Sequence, residues 1–271
     1  MGNATEIADL GASTDGPSWR TADGALYFTV PSSATPLRRL VPGGAPSIVA
    51  FDAGASAPVG TASGGGDRLF LTEKESVLTL DLDDAGAVTA SNRKAGLGNT
   101  VFGDIATSDP GPVAWFVDTQ NPRVYRFEAP SDMSLAYELG DAGRATAIAT
   151  REDTNSGQKL VYIGVGGKQI VIMRDIGGTL TLNDSVETNG IPPNGIAVDV
   201  AGRIFVAWAE GIDIFTASGS TVRPSDGHAM LPIGAIPTSL TFGGADFKTL
   251  FVTTSKGKIY SVPVQTAGVL R

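Results

Sequence analysis

Short apolar segments recur along this chain at almost constant spacing. They lie at residues 26–29, 69–72, 114–117, 160–163, 204–207 and 250–253, at steps of 43, 45, 46, 44 and 46 residues. That period is the size of one four-stranded β-propeller blade, a unit that cannot bury its apolar faces alone and must stack on its neighbours. Six such units predict an all-β fold, a single six-bladed β-propeller with four-stranded blades occupying residues 1–271 as one domain.

The segments between agree with this. Each core strand is followed by a partner with apolar residues at alternate positions, as in Arg123-Val124-Tyr125-Arg126-Phe127 and Lys258-Ile259-Tyr260-Ser261-Val262. A period of two places one face of such a strand in the blade stack. Hairpin turns are expected at Asp23-Gly24, Ala85-Gly86, Ser218-Gly219 and Lys256-Gly257. A fourth, outer strand is expected at residues 47–51, 87–91, 135–139, 179–186 and around 230–233. The sixth repeat runs out of chain, and residues 6–10 belong to no repeat. They are predicted to supply the missing strand and close the ring, leaving no exposed edge.

Composition narrows the function classes. Thirty-five Gly and 16 Pro fit a turn-rich β protein. The net charge of −8 disfavours phosphate backbones and anionic lipid surfaces, so no nucleic-acid partner is expected. The longest mostly apolar stretch, residues 203–215, is interrupted by Glu210 and Asp213 and is too short for a membrane span. A soluble protein is expected. With no cysteine there is no disulfide, thiol nucleophile or thiolate metal site. Met1-Gly2-Asn3-Ala4 does not begin a signal peptide, although an exported precursor with an upstream leader is compatible with the sequence.

Most local motifs read as structure. Gly164-Val165-Gly166-Gly167 lacks the spacing and following helix of a dinucleotide site, and neither a G-x-S-x-G elbow nor a P-loop is present. Asp81-Leu82-Asp83-Asp84-Ala85-Gly86 half resembles a calcium loop, but Ala85 falls at a ligand position and Asn92 where a bidentate Glu is needed, so a solvated hairpin is expected. His228, the one imidazole, sits in a loop-like stretch. Trp19, Trp115 and Trp208 fall in or beside strands, where packing between blades is the default.

Three stretches resemble the SMP-30/gluconolactonase family. The run from Pro237 to Thr253 is similar to that family's last-blade signature. Pro193-Asn194-Gly195-Ile196-Ala197-Val198-Asp199 with Gly202-Arg203-Ile204-Phe205-Val206 resembles the preceding blade, and Gly16-Pro17-Ser18-Trp19 with Gly24-Ala25-Leu26-Tyr27-Phe28 resembles the first. The resemblance implies that innermost strands open on oxygen-bearing side chains aimed at the central axis, four of which hold one divalent ion. Aligning the six core strands places Asp15, Val59, Asp104, Thr146, Asn194 and Thr238 at those starts.

The ligand set implied here is Asp15, Asp104, Thr146 and Asn194, with Asn99 in place of Asp104 if the third blade is shifted. The family has Glu, Asn, Asn and Asp at these four positions, so each has changed type while two carboxylates remain. Oxygen-only ligands with two charges suit Ca2+ or Mg2+, and one His with no Cys disfavours zinc. The plainer reading is that short polar residues satisfy backbone groups at strand starts.

Two functions follow. One is a metal-dependent hydrolase of a lactone or ester with a small-molecule substrate, in which Asp104, or failing it Asp15, serves as base because Asn194 cannot. The other is a non-catalytic ligand- or protein-binding propeller with a degenerate metal site.

Overall fold

The structure is a computed structural model that describes residues 1–51, 58–97, 99–107, 113–129, 132–153, 156–166, 169–188, 192–216, 228–230 and 235–269. Six four-stranded antiparallel sheets form the blades of a six-bladed β-propeller. The innermost strands are Asp15–Arg20, Gly60–Ser63, Phe102–Thr107, Ala145–Asp153, Gly195–Val198 and Pro237–Gly243. The predicted apolar segments form the second strands: Ala25–Thr29, Arg68–Thr72, Val113–Asp118, Gln158–Val165, Ile204–Trp208 and Thr249–Thr254. Among the described residues the one helical turn is the 3-10 segment Gly140–Ala142, and no helix is long and apolar enough to cross a membrane.

Burial follows position in the blade. Second strands such as Ala25–Thr29 are buried at every residue, because a neighbouring blade covers each face. They therefore read as continuous apolar runs rather than alternating ones. The core is accordingly a series of layers between blades. Tyr27, Leu69 and Leu80 fill the first seam, Phe70, Phe102 and Phe116 the second, and Trp115, Val124 and Ile163 the third. Burying one such side chain contributes about 1.5–3 kcal/mol.

The outer strands are largely exposed, and here the predicted boundaries shift. The first blade's outer strand is only Ser47–Ile48, the second extends over Val88–Ala95, and the third begins earlier, at Asp132–Glu138. In the fifth blade His228–Met230 occupies that place. The polar stretch after Arg151 lengthens its hairpin, with Asp153 paired to Gln158.

Closure is as expected. Thr5–Asp9 pairs antiparallel with the strand Lys258–Pro263, with Thr5 opposite Ser261 and Asp9 opposite Lys258, so the sixth blade is built from both ends of the chain. Lys258 Nζ donates to Glu6 Oε2 at 2.8 Å across this pair.

Candidate functional site

All four residues expected at the axis line one cavity of about 290 Å3. Asp15, Asp104, Thr146 and Asn194 reach it from the first, third, fourth and fifth blades, and Val59 reaches it from the second. The local cause is a repeated irregularity. Ladder register shifts between Asp15 and Ser18, between Phe102 and Ile105, between Ala145 and Ala147, and between Pro237 and Ser239. Bulges of this kind bend a strand and re-aim one side chain. In the other two blades Val59 N and Asn194 N donate to Thr72 O and Ala207 O, the carbonyls of residues that also pair with Gly60 and Gly195.

Crowding at the axis fixes glycine beside these side chains. Gly16 has φ +49°, and a Cβ there would lie 2.5 Å from Gly60 Cα. A Cβ on Gly195 would lie 2.6 Å from Ser239 Cα. Any larger residue would push adjacent innermost strands apart.

Hydrogen bonds divide the axial residues into two groups. Thr146 Oγ1 donates to Pro193 O at 2.6 Å, Asn194 Nδ2 to Pro237 O at 2.9 Å, and Thr238 Oγ1 to Thr14 O at 2.6 Å. Each acceptor is the residue just before the axial position of the next blade. These three side chains therefore latch the fourth blade to the fifth, the fifth to the sixth and the sixth to the first. Carboxylates have no proton to give, and the other seams use substitutes. Thr61 donates to Gly16 O, and Thr72 donates to Gly103 O. Between the third and fourth blades Ile148 N donates to Asp104 Oδ2 at 3.0 Å. The backbone-satisfying reading thus describes part of what Thr146 and Asn194 do.

Electrostatics single out the carboxylates. Asp104 Oδ1 also accepts from Ile105 N at 3.0 Å, and Asp15 Oδ1 from Gly16 N at 2.8 Å. Burial, with a smaller contribution from the charge of Asp104, pushes the Asp15 carboxyl up to about 7 against the opposing pull of the Gly16 N–H and the Thr238 hydroxyl. Among the described residues no Lys, Arg or His lines the cavity to offset the two acids. Among the described residues no three Asp, Glu, His or Cys gather in one place. A cation would therefore meet two carboxylates, the Asn194 carbonyl oxygen, which accepts none of the described hydrogen bonds, and the Thr146 hydroxyl. That set fits one hard divalent ion.

Sequence reasoning missed several lining residues. Val101, Phe102, Gly103, Thr119 and Ser239 complete the wall, while Thr238 turns away to its latch. Asn99 is exposed and does not line the cavity. Asp83 Oδ1 accepts from Ala85 N and Ala87 N, which makes residues 81–86 the expected hairpin turn. The side chain of His228 and the turn at Ser218-Gly219 lie outside the described residues.

The family model for the SMP-30/gluconolactonase/LRE-like region matches residues 13–256. The chain belongs to this family. Among solved structures, the gluconolactonase XC5397 from Xanthomonas campestris is similar to this family member with a TM-score of 0.75 at 20% identity, covering 97% of this chain and 89% of that one. Regucalcin from Agrobacterium tumefaciens, described as a calcium-binding protein, gives 0.76 at 14% identity, covering 100% and 96%. A luciferin-regenerating enzyme gives 0.72 at 18%, covering 99% of both chains. At these identities the likeness is one of fold. No curated protein matches the chain by sequence.

Proposed function

We propose that this gluconolactonase-like propeller is a hydrolase of uncharged lactones or esters that works with one divalent cation, Ca2+ or Mg2+, at the axial cavity. The observation that carries the reading is convergence: side chains from four blades, two of them carboxylates, meet in one cavity without a compensating basic residue. Asp15, Asp104, Thr146 and Asn194 would hold the ion. When bound, it would supply a positive charge to polarise the substrate carbonyl.

The chain's own residues do the rest. Two acids and no base lining the cavity favour a neutral substrate over an anionic one. Val59, Val101 and Phe102 form an apolar wall that limits water around the reacting carbonyl. Asp104, with each oxygen accepting a backbone N–H, is fixed in place and anchors the site. Asp104, or failing it Asp15, would serve as proton acceptor for a water attacking the carbonyl carbon.

A binding propeller without turnover is the competing reading, and the latches made by Thr146 and Asn194 favour it. A panel of lactones and aryl esters assayed in millimolar Ca2+ separates the two. Hydrolysis lost in both Asp15→Asn and Asp104→Asn is expected. Turnover indifferent to both substitutions, or absent throughout with the ion bound, would overturn the enzyme reading.

A further inference from the structure

A further cavity lies away from the axial carboxylates. About 660 Å3 in volume, it occupies the seam between the sixth and first blades, at the end of the propeller where the innermost strands finish. Trp19, near the end of its strand, and residues 244–247, in the turn after Pro237–Gly243, both line it. It shares no residue with the axial cavity.

Its walls are mostly apolar. Trp19 and Phe251 stack with ring centroids 5.4 Å apart and planes within 5°, and Ile7, Leu40, Pro42 and Phe247 extend the surface around them. The backbone is bare at Gly24 and Gly43, where a Cβ would meet nothing within 4 Å. Three hydroxyls, on Thr21, Thr249 and Ser261, line the cleft and make none of the described hydrogen bonds, while among the described residues no charged side chain lines it. Volume, flat aromatic surface and a few uncommitted polar groups are the attributes of a small-molecule pocket.

Two further observations set this cleft apart. Among the described residues Phe247 is the one non-glycine with positive φ, +56°. A bulky side chain in that region costs on the order of 1–3 kcal/mol, and such strain concentrates at ligand sites. It is held there by Phe247 N donating to Gly244 O and Gly268 N donating to Phe247 O. Moreover, the seam on the other side of the sixth blade is filled by the chain itself. Val200 N donates to Ala267 O, Val269 N donates to Val198 O, and Gly268 lies against the Phe242 ring. No described segment plays that part between the sixth and first blades.

We propose that this cleft is a second binding site, for an uncharged and largely apolar small molecule that carries a flat ring and one or two hydroxyl or carbonyl groups. Trp19 and Phe251, with Ile7, Leu40 and Phe247, form the apolar wall, the three hydroxyls meet the polar groups, and the occupant fills the seam as residues 265–269 fill the neighbouring one. Ile7 belongs to the closing strand, so the occupant touches both chain ends and fastens ring closure.

Nile red, an uncharged aromatic dye, serves as the probe on the full chain. Saturable binding at one equivalent is expected, with the Trp19 indole signal moving in proton–nitrogen correlation spectra while those of Trp115 and Trp208 stay. Ala245→Arg, on an exposed turn at the mouth, and Ser261→Phe, which fills the interior, should each weaken the dye by about tenfold or more. Non-saturating fluorescence, a dye affinity unchanged in both variants, competition by Ca2+, or movement of the other indoles without Trp19 would each overturn the proposal. The wild-type spectra decide the matter even if one variant fails to fold.

Discussion

Asp15 and Asp104 are the axial residues that accept hydrogen bonds rather than donate them, Asp104 taking one from Ile148 N of the next blade, and they bring the acidic groups to the cavity. The raised carboxyl of Asp15 has a consequence for stability. Its ordinary value is 3.8 and its folded value about 7, so between those pH values the folded chain keeps a proton that the unfolded chain releases. Stability then falls as pH rises through this window and stays lower above it. Asp15→Asn keeps an oxygen for the Gly16 N–H and removes the charge. In EDTA it should melt higher than the parent at pH 8 and level with it at pH 4. For a domain of this size each 1 kcal/mol gained is about 2–4 °C. An offset identical at the two pH values would contradict the assignment. Asn194→Asp has the opposite outcome: it restores the family's residue type but loses the Nδ2 donor to Pro237 O and sets a carboxylate against that carbonyl. Without a cation it should cost about 1–3 kcal/mol, read from urea unfolding.

Strands differ in how clearly the sequence announces them, and the reason is the number of faces they bury. Second strands, covered by a blade on each side, appear as apolar runs, so their spacing reveals the whole ring. Outer strands such as Val88–Ala95 are mostly exposed and carry little signal, so their limits differ from the expected ones by several residues. At the cavity, Asp15, Asp104, Thr146 and Asn194 were legible because each sits at or beside the start of an innermost strand, a set spacing ahead of a recognisable apolar run in most blades. The latches were not, since Thr146 and Pro193, or Thr238 and Thr14, meet only after the ring has formed. Closure belongs to this scale too. Deleting residues 1–11 uncovers the edge of the strand Lys258–Pro263 and should produce aggregation and a lower Tm, measured by light scattering and calorimetry. Glu6→Ala removes only an exposed ion pair and should change stability by less than about 1 kcal/mol. Equal effects of the two changes would mean that the ion pair, rather than strand pairing and burial, closes the ring.

A ring of six similar blades can bring six equivalent residues to one point, and this molecule has broken that symmetry to concentrate charge. Three of the six positions hold latching Thr or Asn, one holds Val, and two hold carboxylates in a cavity with no basic lining. The chain as a whole is acidic, with net charge −8, so its field adds to the attraction that the axial pair exerts on a cation. A divalent ion bound only by the folded ring, which alone brings the blades together, must stabilise it by mass action. At 100 times its dissociation constant the gain is about 2.7 kcal/mol, or roughly 5–10 °C in Tm. The ion also displaces the proton that Asp15 holds below about pH 7. Calcium in excess over EDTA should therefore raise Tm at pH 8 and do so much less at pH 5, and Asp15→Asn or Asp104→Asn should diminish the rise. Thr238→Val removes a latch and the hydroxyl beside Asp15 but leaves both carboxylates in place, so it should lower Tm in EDTA yet retain a calcium increment. A parent protein that melts at the same temperature in EDTA and in millimolar Ca2+ at pH 8 would show that the two carboxylates hold no ion, and the hydrolase reading would fall with it.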